Sequence, residues 1–491
     1  MQQIYAWLDT GDGLTPLNDH SQDVAMLDEV GIQWGTDDPS EQPDPSVASV
    51  RLIDRTGRLA GDPASLAMAR LVLTMSGQPT WADCDQYGAW EDCDWPISQL
   101  DQRWRPDSIS AGDTLALFDG IIATGGTVTR HGDAWLIEVT ASSRMILWAR
   151  ESRQGPAGGG RHWTDGPDAR LAEINRRAAA LGAPQADTTG LSLPPSVAMY
   201  DLDTYPSLLD LLHRLTAHDP RLLVWHDHAS GRETSIMHTS LATPARILLD
   251  DAATPYVARD DVSRQAVPAS RVIIDDESLT IPEPVTSVTI QGRRVSRDSD
   301  GLLAFDQADT VITATGLPDQ LAVTEHTISR DSDAVIASET DGWTVWQPTT
   351  ADRQTLAEWI TTRDRHMTPE SVTFDSRRLD PSDAPWAFRP EPSGPWLAIG
   401  TIYDRLTDRD GSPSASAVWT TISGTWRYQW QGGDPVIANE AMLLPVPVAP
   451  SALTWAMLDD WAAAWTQVTL TWAQMTLVSS IASTITTKEL T

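Results

Sequence analysis

Lysine is nearly missing from this chain: Lys488 is the only one, so arginine carries almost every positive side-chain charge. Cysteine is equally rare, and the two present, Cys84 and Cys93, cannot build a disulfide scaffold. Basic residues number 35 against 68 acidic ones, which leaves a formal net charge of −33. Stable binding to nucleic acid needs Lys and Arg clusters against phosphates, so this balance argues against it. The cysteine content indicates folding in a reducing cytosol.

Long apolar runs are also missing. No stretch approaches the roughly 20 apolar residues that span a bilayer, and the chain opens with Met1-Gln2-Gln3-Ile4 rather than with a basic segment followed by an apolar one. We therefore expect neither a membrane span nor a secretory signal. The length of 491 residues exceeds the roughly 250 to 300 that one hydrophobic core usually serves, so we expect several domains.

What the chain has in excess is tryptophan, 22 residues in all, and its first 160 residues contain short β-type segments. These segments are rich in Val, Ile, Leu and Trp and are bounded by Gly, Asp or Pro, which is typical of strands. We predict a hairpin turn at Arg130-His131-Gly132-Asp133 and strands at 48–54, 71–75, 114–118, 127–130 and 134–140. Residues 1–160 are therefore predicted to form a β-barrel or sandwich that ends in a glycine-rich segment.

The hydrophobic period then changes and predicts an α+β insert over residues 161–250. The apolar face of a first helix, from Pro167, would consist of Leu171, Ile174, Ala178 and Leu181. A second helix is predicted from Pro206 to about His218, with Pro206 in the first turn, where its missing backbone donor costs nothing. Strands at 221–226 and 233–238 would complete the unit as a hairpin.

Strand patterns return after residue 250 and continue to a proline-rich segment at 445–450. We predict a β-rich middle domain over 251–350, whose fold the pattern leaves open and which can belong to a second barrel. Residues 351–450 are predicted to form the second β-barrel portion, with a helix at 351–364. The strands expected in these two parts are 271–274, 287–291, 310–315, 371–374, 396–402, 417–422 and 425–429.

Residues 451–491 form a tryptophan-rich C-terminal extension in which Leu-Thr-Trp-Ala occurs at 453–456 and again at 470–473. A segment this apolar, placed after a proline-rich linker, would expose a patch that soluble monomers avoid. We therefore interpret it as docking onto another protein through aromatic anchors. The candidate docking residues are Trp455, Trp461, Trp465 and Trp472. The alternative is that they fold back onto the chain's own last barrel.

Four clusters have some features of reactive sites, and each has a plainer interpretation. His226-Asp227-His228 lies on a predicted strand, where both imidazoles can share a face and reach one metal, or it belongs to a solvated hairpin. Cys84 and Cys93 with the carboxylates beside them suit a Ca²⁺ pocket or an acidic loop. Asp408-Arg409-Asp410-Gly411 resembles the opening of a calcium loop but lacks its closing Glu, which favours a turn. Residues 155–160 are rich in glycine but lack the Gly-Lys-Ser/Thr ending of a phosphate loop. We predict no enzyme activity and no catalytic, cofactor-binding or metal-binding residues.

Three stretches carry a resemblance to a known family. Residues 31–57 contain an Ile-x-Trp-Gly segment at 32–35, a Gln-Pro-x-Pro turn at 42–45 and a strand ending in Asp54. Residues 112–120 read Gly-Asp-Thr-Leu-Ala-Leu-Phe-Asp-Gly, and the two-helix block leads into a Leu-Val-Trp strand. Together they resemble minor tail proteins, of the tail-tip or baseplate-hub type, from long-tailed bacteriophages that infect actinobacteria. Between residues 240 and 350 only the order of elements matches.

The resemblance implies a mainly β, multidomain chain with an α+β insert and two tube-like β-barrels per subunit, as in phage tail hubs. Such hubs are trimers, because a threefold hub meets a sixfold tail tube only if each subunit presents two similar barrels. It further implies a structural virion protein, made in the host cytoplasm, that joins the tube to threefold tip components and forms part of the DNA channel.

Partners and alternatives follow from the same resemblance. The implied partners are the distal tail protein, the tape measure protein and further tip or receptor-binding proteins, with transient passage of DNA and no cofactor. The acidic charge would then line the channel, or it would be solubility charge on the outside.

A receptor- or carbohydrate-binding tail component is the alternative function. It predicts exposed clusters of tryptophan, either Trp81, Trp90 and Trp95 or Trp419, Trp426 and Trp430. A tail-associated hydrolase would need a cleft with converging carboxylates or a metal.

Overall fold

The computed structural model describes most of the chain up to residue 445. The described residues are 3–11, 13–17, 26–36, 41–76, 115–123, 126–150, 155, 162–187, 192–199, 206–226, 228–229, 233–238, 245–249, 265–267, 271–274, 279–280, 285–313, 327–363, 368–369, 371–381, 385–390, 397–401, 416–431 and 434–445. The candidate docking tryptophans of the C-terminal extension, Cys84, Cys93 and the loop at 408–411 lie outside these ranges.

Eight strands at the start of the chain form the first half of a large sheet. They are β1 (Gln3–Asp9), β2 (Thr15–Pro16), β3 (Met26–Gly35), β4 (Val47–Asp54), β5 (Arg70–Ser76), β6 (Leu115–Ile122), β7 (Thr127–His131) and β8 (Ala134–Ser143). Every second residue of β4 is buried, because alternate side chains of a strand point to opposite faces and one face covers a core. The predicted hairpin is confirmed: β7 pairs with β8 across Gly132, whose φ of 65° suits a tight turn.

The next segment contains three of the four described α-helices. Its elements are α1 (Ile146–Arg150), β9 (His162–Trp163), α2 (Pro167–Ala180), β10 (Gln185–Asp187), β11 (Ala198–Met199), α3 (Leu208–Thr216), β12 (Leu222–His226) and β13 (Glu233–His238). Their apolar faces share a second core that includes Trp148, Ile174, Leu208, Leu212 and Val224. The two predicted helices and the β12–β13 hairpin are confirmed.

Two details of these helices differ from the prediction. Pro206 precedes α3 instead of lying in its first turn, because Ser207 is the N-cap. The Ser207 hydroxyl accepts from the Asp210 N–H at 3.1 Å, and the Asp210 carboxylate accepts from the Ser207 N–H at 2.8 Å, which completes a capping box. Leu181 is the C-cap of α2 and is 38% exposed, so it does not extend the buried stripe.

The remainder of the described chain returns to strands. They are β14 (Ala245–Leu249), β15 (Gln265–Val267), β16 (Ile273–Ile274), β17 (Leu279–Thr280), β18 (Ser287–Arg297), β19 (Leu303–Thr313), β20 (Thr327–Ser338), β21 (Thr368–Pro369), β22 (Ser371–Asp375), β23 (Leu397–Thr401), β24 (Ser416–Gln431) and β25 (Asp434–Pro445), with α4 at Thr350–Arg363. Strands β19, β18 and β20 form a separate sheet in that order. Leu356 of α4 packs with Val288, Ile290 and Ile312 in the core of this sheet.

Among the described strands, one seam joins the first and second halves of the large sheet. Strand β3 pairs antiparallel with β24, from Ser423 opposite Gly35 to Gln429 opposite Glu29. The earlier part of β24 pairs with β23 instead, and a β-bulge between Thr421 and Ser423 separates the two parts. Separate strands at 417–422 and 425–429 were therefore a wrong prediction, since the bulge bends one strand without ending it.

The fold is mainly β, as predicted, and most of its strand pairings are antiparallel. Among the described strands the large sheet has an open order from β15 to β2, and no pairing there closes either half on itself. Two closed barrels therefore remain a prediction. No helix within the described ranges is long and apolar enough to cross a membrane.

Candidate functional site at the seam of the large sheet

The seam between β3 and β24 is closely packed on its core side. Ile32 and Trp426 face each other across it and are both fully buried. The Trp426 indole N–H donates to the carbonyl oxygen of Phe388 at 2.8 Å. Beside this pair the ring of Trp34 crosses Gly424, where a Cβ atom would lie only 2.7 Å from Trp34 Cζ2 and would clash with the Glu440 carbonyl oxygen. Only glycine allows this close approach of ring and backbone.

The helical insert contacts the same seam through β12. Trp225 meets Trp34 edge to face, with ring centroids 6.1 Å apart. The side-chain amide of Gln42 pairs with β12 as a strand backbone would: its Nε2 donates to the Leu222 carbonyl oxygen and its Oε1 accepts from the Val224 N–H, both at 2.9 Å. Trp34 and Gln42 both belong to the stretch that carries the family resemblance, and the structure brings them together at this joint.

His228 attaches the insert to strand β6. Its carbonyl oxygen accepts from the Asp119 N–H at 2.6 Å, and its Nδ1 lies 3.2 Å from the Ser46 hydroxyl. The Asp119 carboxylate is held in turn by two hydrogen bonds from Arg70, of 2.9 and 2.6 Å. Burial, reinforced by the nearby charges of His226 and Arg389, lowers the pKa of His228 to about 3. The imidazole is therefore neutral at physiological pH and acts as a structural anchor.

The proposed solvated hairpin at His226 and His228 is wrong, because both imidazoles are buried between the insert and the first sheet half. In the described part of the chain no three His, Cys, Asp or Glu side chains are grouped closely enough to hold a metal ion. The sequence pattern placed both histidines on one strand, but β12 ends at His226. His228 is buried against Phe118 of β6, a contact that the local pattern does not specify.

Asp54 is the last residue of β4, in the stretch that carries the family resemblance, and it organises the turn that follows. Its Oδ1 accepts from Thr56 and from the Gly57 N–H, and its Oδ2 accepts from the Leu59 and Ala60 N–H groups, at 2.8 to 3.0 Å. Burial alone would raise the pKa of this carboxyl, but the hydrogen bonds outweigh burial and hold its pKa below the ordinary value. The residue is a structural cap and not a reactive acid.

A second joint, away from the seam, links the insert to the three-stranded sheet. Arg170 of α2 and Asp333 of β20 are both fully buried, with Nη1 and Oδ2 3.2 Å apart. Residues 195–197 also add to the edge of β20: the Val197 N–H donates to the Asp333 carbonyl oxygen at 2.8 Å and the Val335 N–H donates to the Pro195 carbonyl oxygen at 2.9 Å. Backbone pairing thus joins these two units, and the buried ion pair lies in the same joint.

Most of the tryptophans whose surroundings are described are structural. Trp7, Trp34, Trp148, Trp163, Trp225 and Trp426 are each at most 5% exposed. Trp430 is 48% exposed whereas Trp426 is fully buried, so these two residues do not share the exposed face that sugar stacking would require. Trp81, Trp90 and Trp95 lie outside the described residues.

Comparison with known proteins gives a limited likeness to solved tail proteins. No protein-family model matches the chain, and no curated protein matches it. A 43 kDa tail protein of prophage MuSo2 from Shewanella oneidensis is 9% identical, with 90% of this chain and 98% of that chain covered and a TM-score of 0.44. A tail protein from Neisseria meningitidis is 10% identical, with coverages of 90% and 96% and a TM-score of 0.41. Prophage tail protein gp18 from Listeria monocytogenes is 10% identical, with coverages of 89% and 94% and a TM-score of 0.38.

Proposed function

We propose that this chain is a structural component of a bacteriophage tail and acts as a hub at the tail tip. The observation that carries the proposal is the seam, where two halves of one large sheet, drawn from opposite ends of the described chain, lie side by side through β3 and β24. A subunit that presents two joined sheet units suits a ring in which three copies meet six tube subunits. The solved structures, with TM-scores below 0.5, add no weight to this proposal.

The residues of the family resemblance support a structural role. Trp34, Gln42, Asp54 and Asp119 each make a contact that fixes the joint or a turn beside it. None of these contacts activates a nucleophile or orients a base. Where the chain is described, the carboxylates and imidazoles with shifted pKa values are explained by burial and by structural partners.

The proposed arrangement assigns 1–160 to one tube-like barrel, 161–250 to the insert and 251–350 to the middle domain. Residues 351–450 contribute to the second barrel. The C-terminal extension 451–491 would dock onto a neighbouring tail protein through its four tryptophans. The net charge of −33 would keep DNA from adhering during passage. The location that follows is the virion tail tip, in contact with distal tail and tape measure proteins.

The decisive experiment measures the mass of the purified chain by light scattering and the symmetry of tail tips by imaging. A mass three times that of the 53.6 kDa chain, with threefold tips that contain it, is expected. A monomer or a sixfold ring would contradict the proposal that three copies, each with two sheet units, meet six tube subunits. Deletion of residues 451–491 should leave the trimer intact and prevent incorporation into tails, whereas normal incorporation would contradict the docking role.

A further inference from the structure

The seam has a second face, opposite the core, and a cleft of about 600 Å³ lies on it. Ile32, Trp34 and Trp426 point to the core, so by alternation Gln33 and Thr425 point the other way and form part of the cleft floor. The floor therefore contains residues from both sheet halves. The loop before β4 forms the opposite wall. This volume matches that of sites for drug-sized ligands or short peptide segments.

Three carboxylates give the cleft its charge. Glu440 belongs to β25, and Glu41 and Asp44 belong to the loop before β4. No described residue that lines the cleft is Arg, Lys or His. A concave surface with charges of one sign concentrates its field in the cleft and attracts the opposite charge. The ligand that complements this surface is therefore cationic.

Ser423 is an independent sign of a missing partner. It lies at the bulge of β24, is 4% exposed, and lies on the cleft face because it alternates with Gly424. Its hydroxyl makes no hydrogen bond to any described residue. Since buried hydroxyls are usually satisfied, a polar group entering the cleft would complete this site.

The shape and composition of the cleft indicate which cation it accepts. The carboxylates are too dispersed for a metal ion, since no metal-binding group exists among the described residues. Val47 and Met442 add apolar walls against which the aliphatic stem of Arg or Lys can lie while its charged head reaches the carboxylates. The chain's own extension 451–491 is a poor occupant, because Lys488 is its only basic residue among several acidic ones.

We propose that this seam cleft binds an arginine- or lysine-bearing segment of another protein, with the cationic head among Glu41, Asp44 and Glu440. Such a segment would contact both halves of the sheet at once, so its binding would reinforce the seam. The inference rests on the cleft itself and stands whether or not the chain is a tail hub.

Binding of a fluorescein-labelled Gly-Arg-Gly-Arg-Gly peptide to the full chain is measured by fluorescence anisotropy at 0.15 M NaCl. At this salt concentration the screening length for interactions between exposed charges is about 8 Å. The cleft variant carries Glu41→Gln, Asp44→Asn and Glu440→Gln. The control carries Asp62→Asn, Asp306→Asn and Asp434→Asn, which remove the same charge at exposed positions elsewhere. We expect about tenfold weaker binding to the cleft variant and less than about twofold for the control.

Equal losses in both variants, or equal binding of a peptide with citrulline in place of arginine, would overturn the proposal. A photo-crosslinking version of the peptide tests the unmodified chain and covers the case in which the cleft variant does not fold. Crosslinks should map to residues 33–47, to Ser371 and to residues 423–442. Crosslinks that map elsewhere would refute the site even if the affinities behave as expected.

Discussion

Replacing the buried pair Arg170 and Asp333 separately and together gives the most demanding test of the joint between the insert and the three-stranded sheet. Both side chains are fully buried. Burial lowers the pKa of Arg170 and raises that of Asp333, while their mutual attraction acts in the opposite direction in each case. The desolvation cost thus exceeds the attraction, which is common for buried ion pairs. The pair is expected to specify how the units fit together rather than to add net stability.

The two single variants should differ in their response to pH. Asp333→Leu leaves a buried guanidinium that keeps its proton, and we expect a loss of about 3 to 5 kcal/mol at any pH from 5 to 7. Arg170→Met leaves a buried carboxyl that can take up a proton. Protonating this carboxyl costs about 1.4 kcal/mol for each pH unit above its unfolded pKa, so the loss of stability is at most about 4 kcal/mol at pH 7. Arg293, 3.8 Å from Asp333, reduces that cost.

The sign of the pH effect follows from the raised pKa. A carboxyl whose folded pKa lies above its unfolded value favours folding most at low pH and loses that contribution as the pH rises. Arg170→Met should therefore regain about 3 kcal/mol between pH 7 and pH 5. The double variant Arg170→Met with Asp333→Leu should lie within about 1 kcal/mol of the original chain, or be more stable than it.

Hydrogen exchange followed by mass spectrometry is the suitable assay, because a multi-unit chain does not unfold in one two-state transition. The opening free energies of α2 and β20 are compared after correction for the intrinsic pH dependence of exchange. Arg176→Met is the matched control, since Arg176 lies on the same helix with a side chain 65% exposed, and a change below about 0.5 kcal/mol is expected. A double variant as unstable as Asp333→Leu, or no recovery of Arg170→Met at pH 5, would refute the reasoning.

Two further predictions concern the seam and the turn beside it. Gly424→Ala should destabilise the seam by about 1 to 3 kcal/mol, measured as faster exchange in β3 and β24, because its Cβ meets Trp34 and the Glu440 carbonyl. Gly31→Ala, in the same seam with nothing within 4 Å, is the control, and equal effects would contradict the packing argument. Asp54→Asn should cost about 2 kcal/mol at pH 7. Since the folded pKa of Asp54 is lowered, hydrogen exchange in β4 and the following turn should show this difference above the unfolded pKa near 3.8 and lose it as the pH falls through the folded pKa. A difference that stays constant with pH would count against the capping role.

Several elements were predictable because their signals are local. The alternation of β4 and the glycine turn between β7 and β8 appear in the sequence at the correct positions. The apolar spacing of α2 predicted its buried face over three of four residues, and Leu181 failed because a C-cap no longer follows the helical period. Local patterns also indicated that Trp34, Gln42 and Asp54 matter, through the family resemblance, without indicating what they contact.

The sequence by itself determined the class of the fold, the acidic surface and the faces of individual strands, since composition and period-two alternation are properties of short stretches. Tertiary structure alone decided that β3 pairs with β24, that Gln42 completes β12 and that Arg170 meets Asp333. Alternation tells which side of a strand is buried but not which strand lies beside it. Partners far apart in the chain are selected only when all the units pack together, and both the seam and its acidic cleft arise from that selection.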